Sequence, residues 1–169
     1  IIDYGMGNLA SIKKALDILR IPNLISSQKD IISQAKAIIL PGVGSVLEFM
    51  TRLEQLHFID YIERKSEQGQ RILGICLGQQ AIGEVFGGNL IKLDKVYHGV
   101  ATKVTQSVTD ETLFNGLSKE FEVGRYHSWV VSNDGFPFVL EITSTDENGQ
   151  IMSLRHKTLD VKGLQFHPE

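Results

Sequence analysis

The chain has 169 residues, of which 42% are hydrophobic and 22% are charged, proportions typical of a globular domain with one sizeable core. The 17 basic and 20 acidic residues give a net charge of −3, and no lysine or arginine cluster indicates a nucleic-acid groove. No apolar run reaches membrane-spanning length, and a single cysteine excludes an internal disulfide and favours a cytoplasmic location. We expect one domain over residues 1–169, truncated at both ends.

Strand and helix patterns alternate through the first half of the chain. Short apolar runs bounded by glycine or proline predict buried strands, and apolar residues at intervals of three and four predict helices. The predicted elements are a strand at 1–2, a helix at 9–19, a short edge strand at 23–26, a strand at 37–40, one or two helices at 46–65, a strand at 71–75 and a helix at 79–86. This alternation favours a mostly parallel sheet flanked by helices.

The second half has the pattern of strands joined by turns. Predicted strands lie at 96–104, 121–123, 129–132, 138–143, 151–155 and 161–166. Asn148-Gly149 is a hairpin signal between two of them. The predicted fold class is therefore α/β, with a central mostly parallel sheet and an antiparallel extension.

The motif Gly74-Ile75-Cys76-Leu77-Gly78 contains the only cysteine of the chain. It follows an apolar strand and precedes a helix, which is the arrangement of a nucleophile elbow, a sharp turn that pushes one side chain out of the sheet. Glycines suit the crowded backbone of such a turn, and the amides of the following helix would stabilise a thiolate and an oxyanion. We expect Cys76 to be a nucleophile, although a lone cysteine is often only a small buried hydrophobe.

The last five residues, Gln165-Phe166-His167-Pro168-Glu169, supply an imidazole and a carboxylate two positions apart. Alternation along a strand puts residues at this spacing on one face, and Pro168 bends the chain between them. Because a thiol nucleophile needs a base, His167 is the candidate base and Glu169 its partner. The same residues would also fit an ordinary turn.

Residues 74–78 with Gln80, together with residues 165–169, resemble the two signatures of class I, triad-type glutamine amidotransferases. The resemblance implies a flavodoxin-like fold and hydrolysis of L-glutamine without a cofactor. It implies that Cys76 attacks the side-chain amide of glutamine, that His167 acts as the base and that Glu169 orients His167.

The same resemblance gives the remaining site residues. Pro41-Gly42-Val43-Gly44 alone predicts a turn that ends a strand, but beside a cysteine nucleophile its amides can approach an oxyanion closely. The family takes one oxyanion donor from such a segment and the other from the residue after the cysteine, which correspond to Gly44 and Leu77. The expected glutamine-binding residues are Gly42, Gln80, Tyr126, Ser128 and Trp129.

Two other candidate sites are weaker. Gly5-Met6-Gly7 opens like a dinucleotide fingerprint but lacks the third glycine and a suitably placed acidic residue, so a capped helix start at Asn8 explains it better. His127 has no matched carboxylate among its neighbours in sequence, so His167 is preferred as the base. The five histidines share no metal-ligand spacing with Cys76, and we expect no metal.

Different parts of the chain resemble amidotransferases that supply ammonia to different synthases. Residues 3–9 and 40–44 resemble the glutaminase subunit of imidazole glycerol phosphate synthase. Residues 78–88, 97–100 and 125–128 resemble the glutaminase component of anthranilate or aminodeoxychorismate synthase. A natural mosaic, a divergent paralogue and an engineered hybrid all agree with this pattern. We expect a synthase partner that receives ammonia, and we prefer one that uses chorismate because the second set of matches is larger.

Two functions of other classes remain as alternatives. One is a related thiol hydrolase on a similar scaffold, and the other is a non-catalytic binding module. Such hydrolases typically lack the terminal His-x-Glu arrangement, and an intact set of Cys76, His167 and Glu169 argues against a silent module.

Overall fold

A computed structural model describes residues 1–169 of the chain. Its helices are α1 (Leu9–Ile18), α2 (Lys29–Ser33), α3 (Val46–Gln55), α4 (Phe58–Glu67) and α5 (Leu77–Val85), with a 3₁₀ turn at Thr112–Phe114. Its strands are β1 (Ala37–Leu40), β2 (Arg71–Ile75), β3 (Leu90–Lys92), β4 (Val100–Gln106), β5 (Glu120–Arg125), β6 (Trp129–Val131), β7 (Leu140–Asp146), β8 (Ile151–His156) and β9 (Val161–Leu164). None of the helices combines the length and apolar character that crossing a membrane requires.

Seven strands form one mixed sheet in the order β1-β2-β9-β8-β7-β4-β5, and β3 pairs with β6 in a second, smaller sheet. The strands β1, β2 and β9 are parallel to one another. The remaining four continue the sheet in antiparallel pairs. The predicted α/β fold, with helices around a parallel region and an antiparallel extension, is confirmed.

The parallel strands lie between two layers of helix. Helices α4 and α5 pack against β2, and α3 packs against both of these helices. Their contact builds a core of 19 buried residues, in which each large apolar side chain contributes about 1.5–3 kcal/mol. On α1, Ile12 clusters with Ile75 and Cys76. The end of β2 is therefore buried within the apolar core.

The loop after β1 and the loop after β2 leave the sheet at the same edge. Leu40, the last residue of β1, pairs with Gly74, and the next residues are Pro41 and Ile75. Open parallel sheets bind ligands at this carboxyl edge. The fold thus brings the glycine-rich segment and the cysteine motif together, as the sequence predicts.

The structure differs from the sequence prediction near the amino terminus and around β4. The predicted strands at 1–2 and 23–26 are reduced to one parallel bridge between Ile2 and Ser26. The Ile2 amide still donates to the Ile39 carbonyl at 3.0 Å, so the segment lies beside β1 without extending a ladder. The strand expected at 96–104 starts only at Val100, because Gly99 adopts a left-handed conformation with φ of +68°.

The predicted hairpin between β7 and β8 is confirmed. The Asp146 carboxylate accepts hydrogen bonds from the backbone amides of Asn148 and Gln150, both at 2.9 Å. Gly149 has φ of +73°, a conformation that glycine adopts without steric cost. Asp146 therefore closes this turn with one carboxylate oxygen, and its second oxygen accepts a hydrogen bond from Arg125.

Candidate active site

Cys76 occupies a sharp turn between β2 and α5. Its backbone has φ of 55° and ψ of −107°, an uncommon conformation for a residue other than glycine. The Cys76 amide donates to the Leu164 carbonyl of β9 at 2.7 Å, which fixes the turn to the centre of the sheet. This strained, well-anchored geometry is that of the predicted nucleophile elbow.

The glycines of the motif permit close backbone approach. A β-carbon on Gly78 would lie 2.0 Å from the Leu40 carbonyl oxygen, and one on Gly74 would lie 2.4 Å from the backbone of Gly78. Neither neighbour is a flexible side-chain end that could move aside. A side chain at either position would therefore push α5 away from β1 and β2 and displace Cys76.

The Cys76 side chain is almost fully buried, with 1% of its surface exposed. Its sulfur lies 3.7 Å from the Gln165 side-chain nitrogen and 3.9 Å from the Tyr126 carbonyl oxygen. The amide nitrogen of Gln165 can donate only, so the sulfur is the acceptor in that contact. Sequence reasoning did not assign Gln165 a role, although its spacing of two from His167 indicates a shared face.

His167 and Glu169 form a hydrogen-bonded pair in the same cavity. His167 Nδ1 lies 2.8 Å from a carboxylate oxygen of Glu169, and their side chains are 10% and 4% exposed. The His167 amide also donates to the Gly124 carbonyl of β5 at 3.1 Å, which holds the segment beyond β9 in place. A carboxylate accepts only, so Nδ1 carries the proton and Nε2 is directed away from Glu169.

The environment of His167 favours its charged form. Burial disfavours the imidazolium, but contacts with Cys76 and Glu169 and their negative charges outweigh burial and raise the pKa of His167 to about 9. Burial likewise disfavours the Glu169 carboxylate, but the hydrogen bond and charge of His167 hold the pKa of Glu169 below its usual value. His167 Nε2 makes no hydrogen bond of ordinary geometry, although Cys76 is near enough to contribute to the raised pKa of His167.

One cavity of about 630 Å³ brings the candidate residues together. Every predicted site residue except Gly42 lies in its lining: Cys76, His167, Glu169, Gly44, Leu77, Gln80, Tyr126, Ser128 and Trp129. The volume suits an amino-acid-sized ligand. A second hollow of about 740 Å³ adjoins it and shares Gly44, Val46, Ser128 and Trp129.

Gly42 is not among the residues that line this cavity, so its role in glutamine binding stays a prediction. It is buried against the start of α5, where a β-carbon would lie 2.4 Å from Cβ of Leu77. Its carbonyl accepts a hydrogen bond from the Leu77 amide at 3.4 Å, longer than the usual range. The expected oxyanion donor at Leu77 therefore points at Gly42, while Gly44 is exposed with φ of +104°.

Gln80 is fully buried and its amide is oriented by two acceptors. Its nitrogen donates to the Trp129 carbonyl at 2.7 Å and to the Gln165 side-chain oxygen at 3.0 Å. Its own side-chain oxygen has no partner. An unpaired buried acceptor is costly, and Gln80 is one of the residues that line the cavity.

His127 lines the same cavity but is held neutral. Arg125 donates from Nε to His127 Nε2 at 3.0 Å, and His127 Nδ1 lies 3.0 Å from the Trp129 carbonyl oxygen, which fixes the proton on Nδ1. Burial and the charge of Arg125 lower the pKa of His127 to about 4. The preference for His167 over His127 as the base agrees with this environment.

Asn8 lies at the start of α1, as predicted, but its side chain makes no capping hydrogen bond. It lies instead in the wall of the cavity and helps to lower the pKa of Glu169. A cap and a site residue have the same sequence signature at this position, so only the fold distinguishes them. No group of three or more histidine, cysteine or acidic side chains is arranged to hold a metal ion.

Residues 1–169 match the family described as glutamine amidotransferase class-I. The chain belongs to this family. Aminodeoxychorismate synthase component 2 of Escherichia coli K12 is 43% identical over 98 residues, 58% of this chain and 51% of that protein. Anthranilate synthase component 2 of Pseudomonas putida is 34% identical over 167 residues, 95% of this chain and 79% of that protein. The matched part thus spans about half of the first relative and about four fifths of the second.

Solved structures agree with the family. A protein named as a GMP synthase component, from Thermoplasma acidophilum, superposes with a TM-score of 0.83 and 25% identity, over 99% of this chain and 81% of that one. A glutamine amidotransferase from Thermotoga maritima, with a TM-score of 0.74 and 17% identity, shares the fold over 92% of this chain and 68% of its own. The predicted family and fold class are confirmed.

Proposed function

We propose that this chain is a glutaminase subunit, which hydrolyses L-glutamine to glutamate and ammonia and passes the ammonia to a synthase. One observation carries the proposal: the single cysteine, at a strained elbow, shares a cavity with a hydrogen-bonded histidine and glutamate. A nucleophile, a base and an orienting carboxylate are the components of covalent acyl transfer. Class I amidotransferases are enzymes, so a catalytic role also fits the family.

In the first half of the reaction, the Cys76 sulfur attacks the side-chain amide carbon of glutamine. The thiol proton passes to His167 Nε2, and Glu169 stabilises the imidazolium through Nδ1. The C–N bond then breaks, and His167 returns the proton to the leaving nitrogen, which departs as ammonia. Because the raised pKa of His167 favours the imidazolium, the thiol proton already resides on the ring at neutral pH and is available to the leaving nitrogen.

In the second half, water hydrolyses the glutamyl thioester. His167, now neutral, removes a proton from the water as it attacks the thioester carbon. The C–S bond breaks, glutamate leaves, and the proton on His167 returns to the Cys76 sulfur. Gln165 supports the thiolate as leaving group, since its nitrogen lies 3.7 Å from the sulfur.

Glutamine is held by residues that line the cavity beside the cysteine. The unpaired Gln80 oxygen accepts a hydrogen bond from a substrate N–H group, because the Gln80 nitrogen is already committed to Trp129 and Gln165. The backbone and side chains of Tyr126 and Ser128 complete the grip on the substrate. Their place in the cavity lining supports this role.

The oxyanion hole forms only after a rearrangement of the segment Pro41-Gly42-Val43-Gly44. The Leu77 amide donates to Gly42 at 3.4 Å, so it must exchange this weak bond for the oxyanion. A positive φ at Gly44 gives the segment access to backbone states that other residues avoid. We expect low glutaminase activity from the isolated chain and strong stimulation by the substrate-bound synthase.

The partner is a chorismate-using synthase, which makes anthranilate or aminodeoxychorismate. Relatives named as component 2 of these two synthases support this choice, in agreement with the larger set of sequence matches. The alternative partner is the cyclase subunit of imidazole glycerol phosphate synthase, which residues 3–9 and 40–44 favour. Glutamate release, measured while the chain is titrated with each purified synthase, separates the two. Stimulation by the cyclase alone would replace the first partner and leave the glutaminase assignment intact.

Cys76→Ala tests the chemistry. This variant should lose glutamine-dependent product formation, because no other cysteine is present, while the synthase should remain active with added ammonium. An electrophilic glutamine analogue should label Cys76 in the wild-type protein. Glutaminase activity that survived in Cys76→Ala would remove the cysteine from the mechanism.

A further inference from the structure

A buried ion pair lies next to residues 126–129, which contain three of the proposed glutamine-binding residues. Arg125 donates from one terminal nitrogen to Asp146 at 2.6 Å and from the other to the side-chain oxygen of Gln150 at 2.6 Å. The side chains of Arg125 and Asp146 are each only 1% exposed. Neither residue lines the cavity, and the mechanism above uses neither of them. Removal of two charges from water costs free energy, and their mutual attraction does not always repay it, so the pair is a candidate for a role other than stability.

The third nitrogen of the Arg125 guanidinium acts on the cavity wall. Arg125 Nε donates to His127 Nε2 at 3.0 Å, and the guanidinium carbon lies 3.5 Å from the centre of the Tyr97 ring. Tyr97 in turn stacks on the His127 ring, with the ring centres 5.5 Å apart. A planar guanidinium makes directed contacts of this kind, which the point charge of a lysine cannot reproduce. His127 is therefore fixed in position and in tautomer.

The contacts continue from His127 to the catalytic sulfur. The Trp129 carbonyl accepts from His127 at 3.0 Å and from Gln80 at 2.7 Å. Gln80 then donates to Gln165, and Gln165 lies against the Cys76 sulfur. Loss of the Arg125 contact would free His127 and leave the Trp129 carbonyl with one donor in place of two.

We propose that Arg125 is a positioning residue for the glutamine site: anchored by Asp146 at the β7–β8 hairpin, it fixes His127 and through it the Trp129 carbonyl and Gln80. It touches neither substrate nor sulfur and acts only through these groups. The inference rests on the proposed glutaminase activity. It predicts that the hairpin turn, outside the cavity, controls how tightly glutamine is held.

Arg125→Met tests the role, with Arg155→Met as the matched control. Arg155 also joins acidic side chains, to Asp110 at 2.9 Å and Glu141 at 2.7 Å, but unlike Arg125 it forms no ion pair or hydrogen bond with a residue of the cavity lining. With the stimulating synthase present, Arg125→Met should raise KM for glutamine about tenfold or more, and Arg155→Met should change it less than about threefold. Arg125→Lys, which keeps the charge but loses the planar contacts, should behave like Arg125→Met.

Asp146→Asn provides a variant that keeps the hairpin. Its side-chain oxygen can still accept from the turn amides, while the anchor of Arg125 is weakened. KM should again rise, by about threefold to tenfold, with kcat changed less than KM. Far-ultraviolet circular dichroism that matches the wild type identifies folded variants before the kinetics are compared.

Nitrogen chemical shifts of the His127 ring give a readout that a purely structural role would not move. In the wild type Nδ1 should be protonated and Nε2 unprotonated, and in Arg125→Met the ring should exchange between tautomers. An unchanged tautomer, or a KM in Arg125→Met equal to that in Arg155→Met, overturns the inference. Absence of glutamine hydrolysis by the wild-type protein with every synthase would instead reject the proposed function.

Discussion

Two histidines line the same cavity, and their pKa values are shifted in opposite directions. His127 lies against the Arg125 guanidinium, and burial together with that charge lowers its pKa to about 4. His167 lies between Cys76 and Glu169, whose contacts outweigh burial and raise its pKa to about 9. Burial disfavours the charged form of both rings, so the sign of the neighbouring charge decides the outcome.

The difference in pKa suits the two rings to different roles within one cavity. A ring that stays neutral across physiological pH is a fixed hydrogen-bonding element, and His127 joins Arg125 to the Trp129 carbonyl in this way. A ring that readily binds a proton beside a thiol can act as acid and base, which is the role proposed for His167. We therefore propose positioning as the role of one imidazole in the cavity and proton transfer as the role of the other.

The largest expected effect comes from making the same substitution at both histidines. An asparagine keeps a donor near the position of Nδ1 and removes Nε2. His167→Asn should lower kcat by about a thousandfold or more, because it removes the acid and base, whereas His127→Asn should cost about tenfold, mainly in KM. Steady-state glutamate release with the synthase present measures both. Equal losses in kcat would mean that the two rings do not have separate roles.

Glu169→Gln should have an intermediate effect. It preserves the shape of the side chain and removes the charge that stabilises the imidazolium, so kcat should fall by about tenfold to a hundredfold, less than in His167→Asn. The corresponding change near His127 is Asp146→Asn, which removes the charge that anchors Arg125, and it should act mainly on KM. A loss in Glu169→Gln as severe as that in His167→Asn would show that Glu169 does more than orient the base.

A further expected effect is on the pH dependence of folding. The folded pKa of His127 lies below the ordinary value of 6.5, so its contribution to stability is full above pH 6.5 and is lost as pH falls towards 4. The folded pKa of His167 lies above 6.5, so its contribution is full below pH 6.5 and is lost as pH rises through 9. Each histidine changes the free energy of unfolding by on the order of 2 kcal/mol across its pH range.

Denaturant unfolding of the wild type and of both asparagine variants over a pH range of about 4 to 9.5 gives these contributions as differences in free energy of unfolding. The His127→Asn difference should shrink towards acid, and the His167→Asn difference should shrink towards alkali. Differences that followed pH in the same direction would contradict the assignment of opposite neighbours to the two rings.

The sequence predicted that the cysteine motif and the terminal histidine motif would share one site, because the signals within each motif are local. The strand at 71–75, the glycines around Cys76 and the terminal His-x-Glu motif each lie within a few residues, and the structure places them as expected. The parallel strand at 37–40 was equally clear, since a buried apolar run ends at Pro41-Gly42. Fixed spacing and the family resemblance were sufficient for these elements.

The positioning part could not be predicted because its partners are distant in sequence. Arg125 and Asp146 are separated by 21 positions, and isolated charged residues usually predict solvent-exposed surface. The bond between the Leu77 amide and Gly42 depends on how closely α5 approaches β1, which no local pattern gives. The prediction for Gly42 therefore did not include its packing against Leu77.

The central claim, that Cys76 carries the glutamyl group during hydrolysis, can be tested by mass spectrometry of the acid-quenched protein during turnover with glutamine and synthase. We expect one glutamyl adduct on the peptide that contains Cys76 in the wild type, and none in Cys76→Ala. Steady glutamate release without an adduct on Cys76, or with the adduct on another residue, would contradict it.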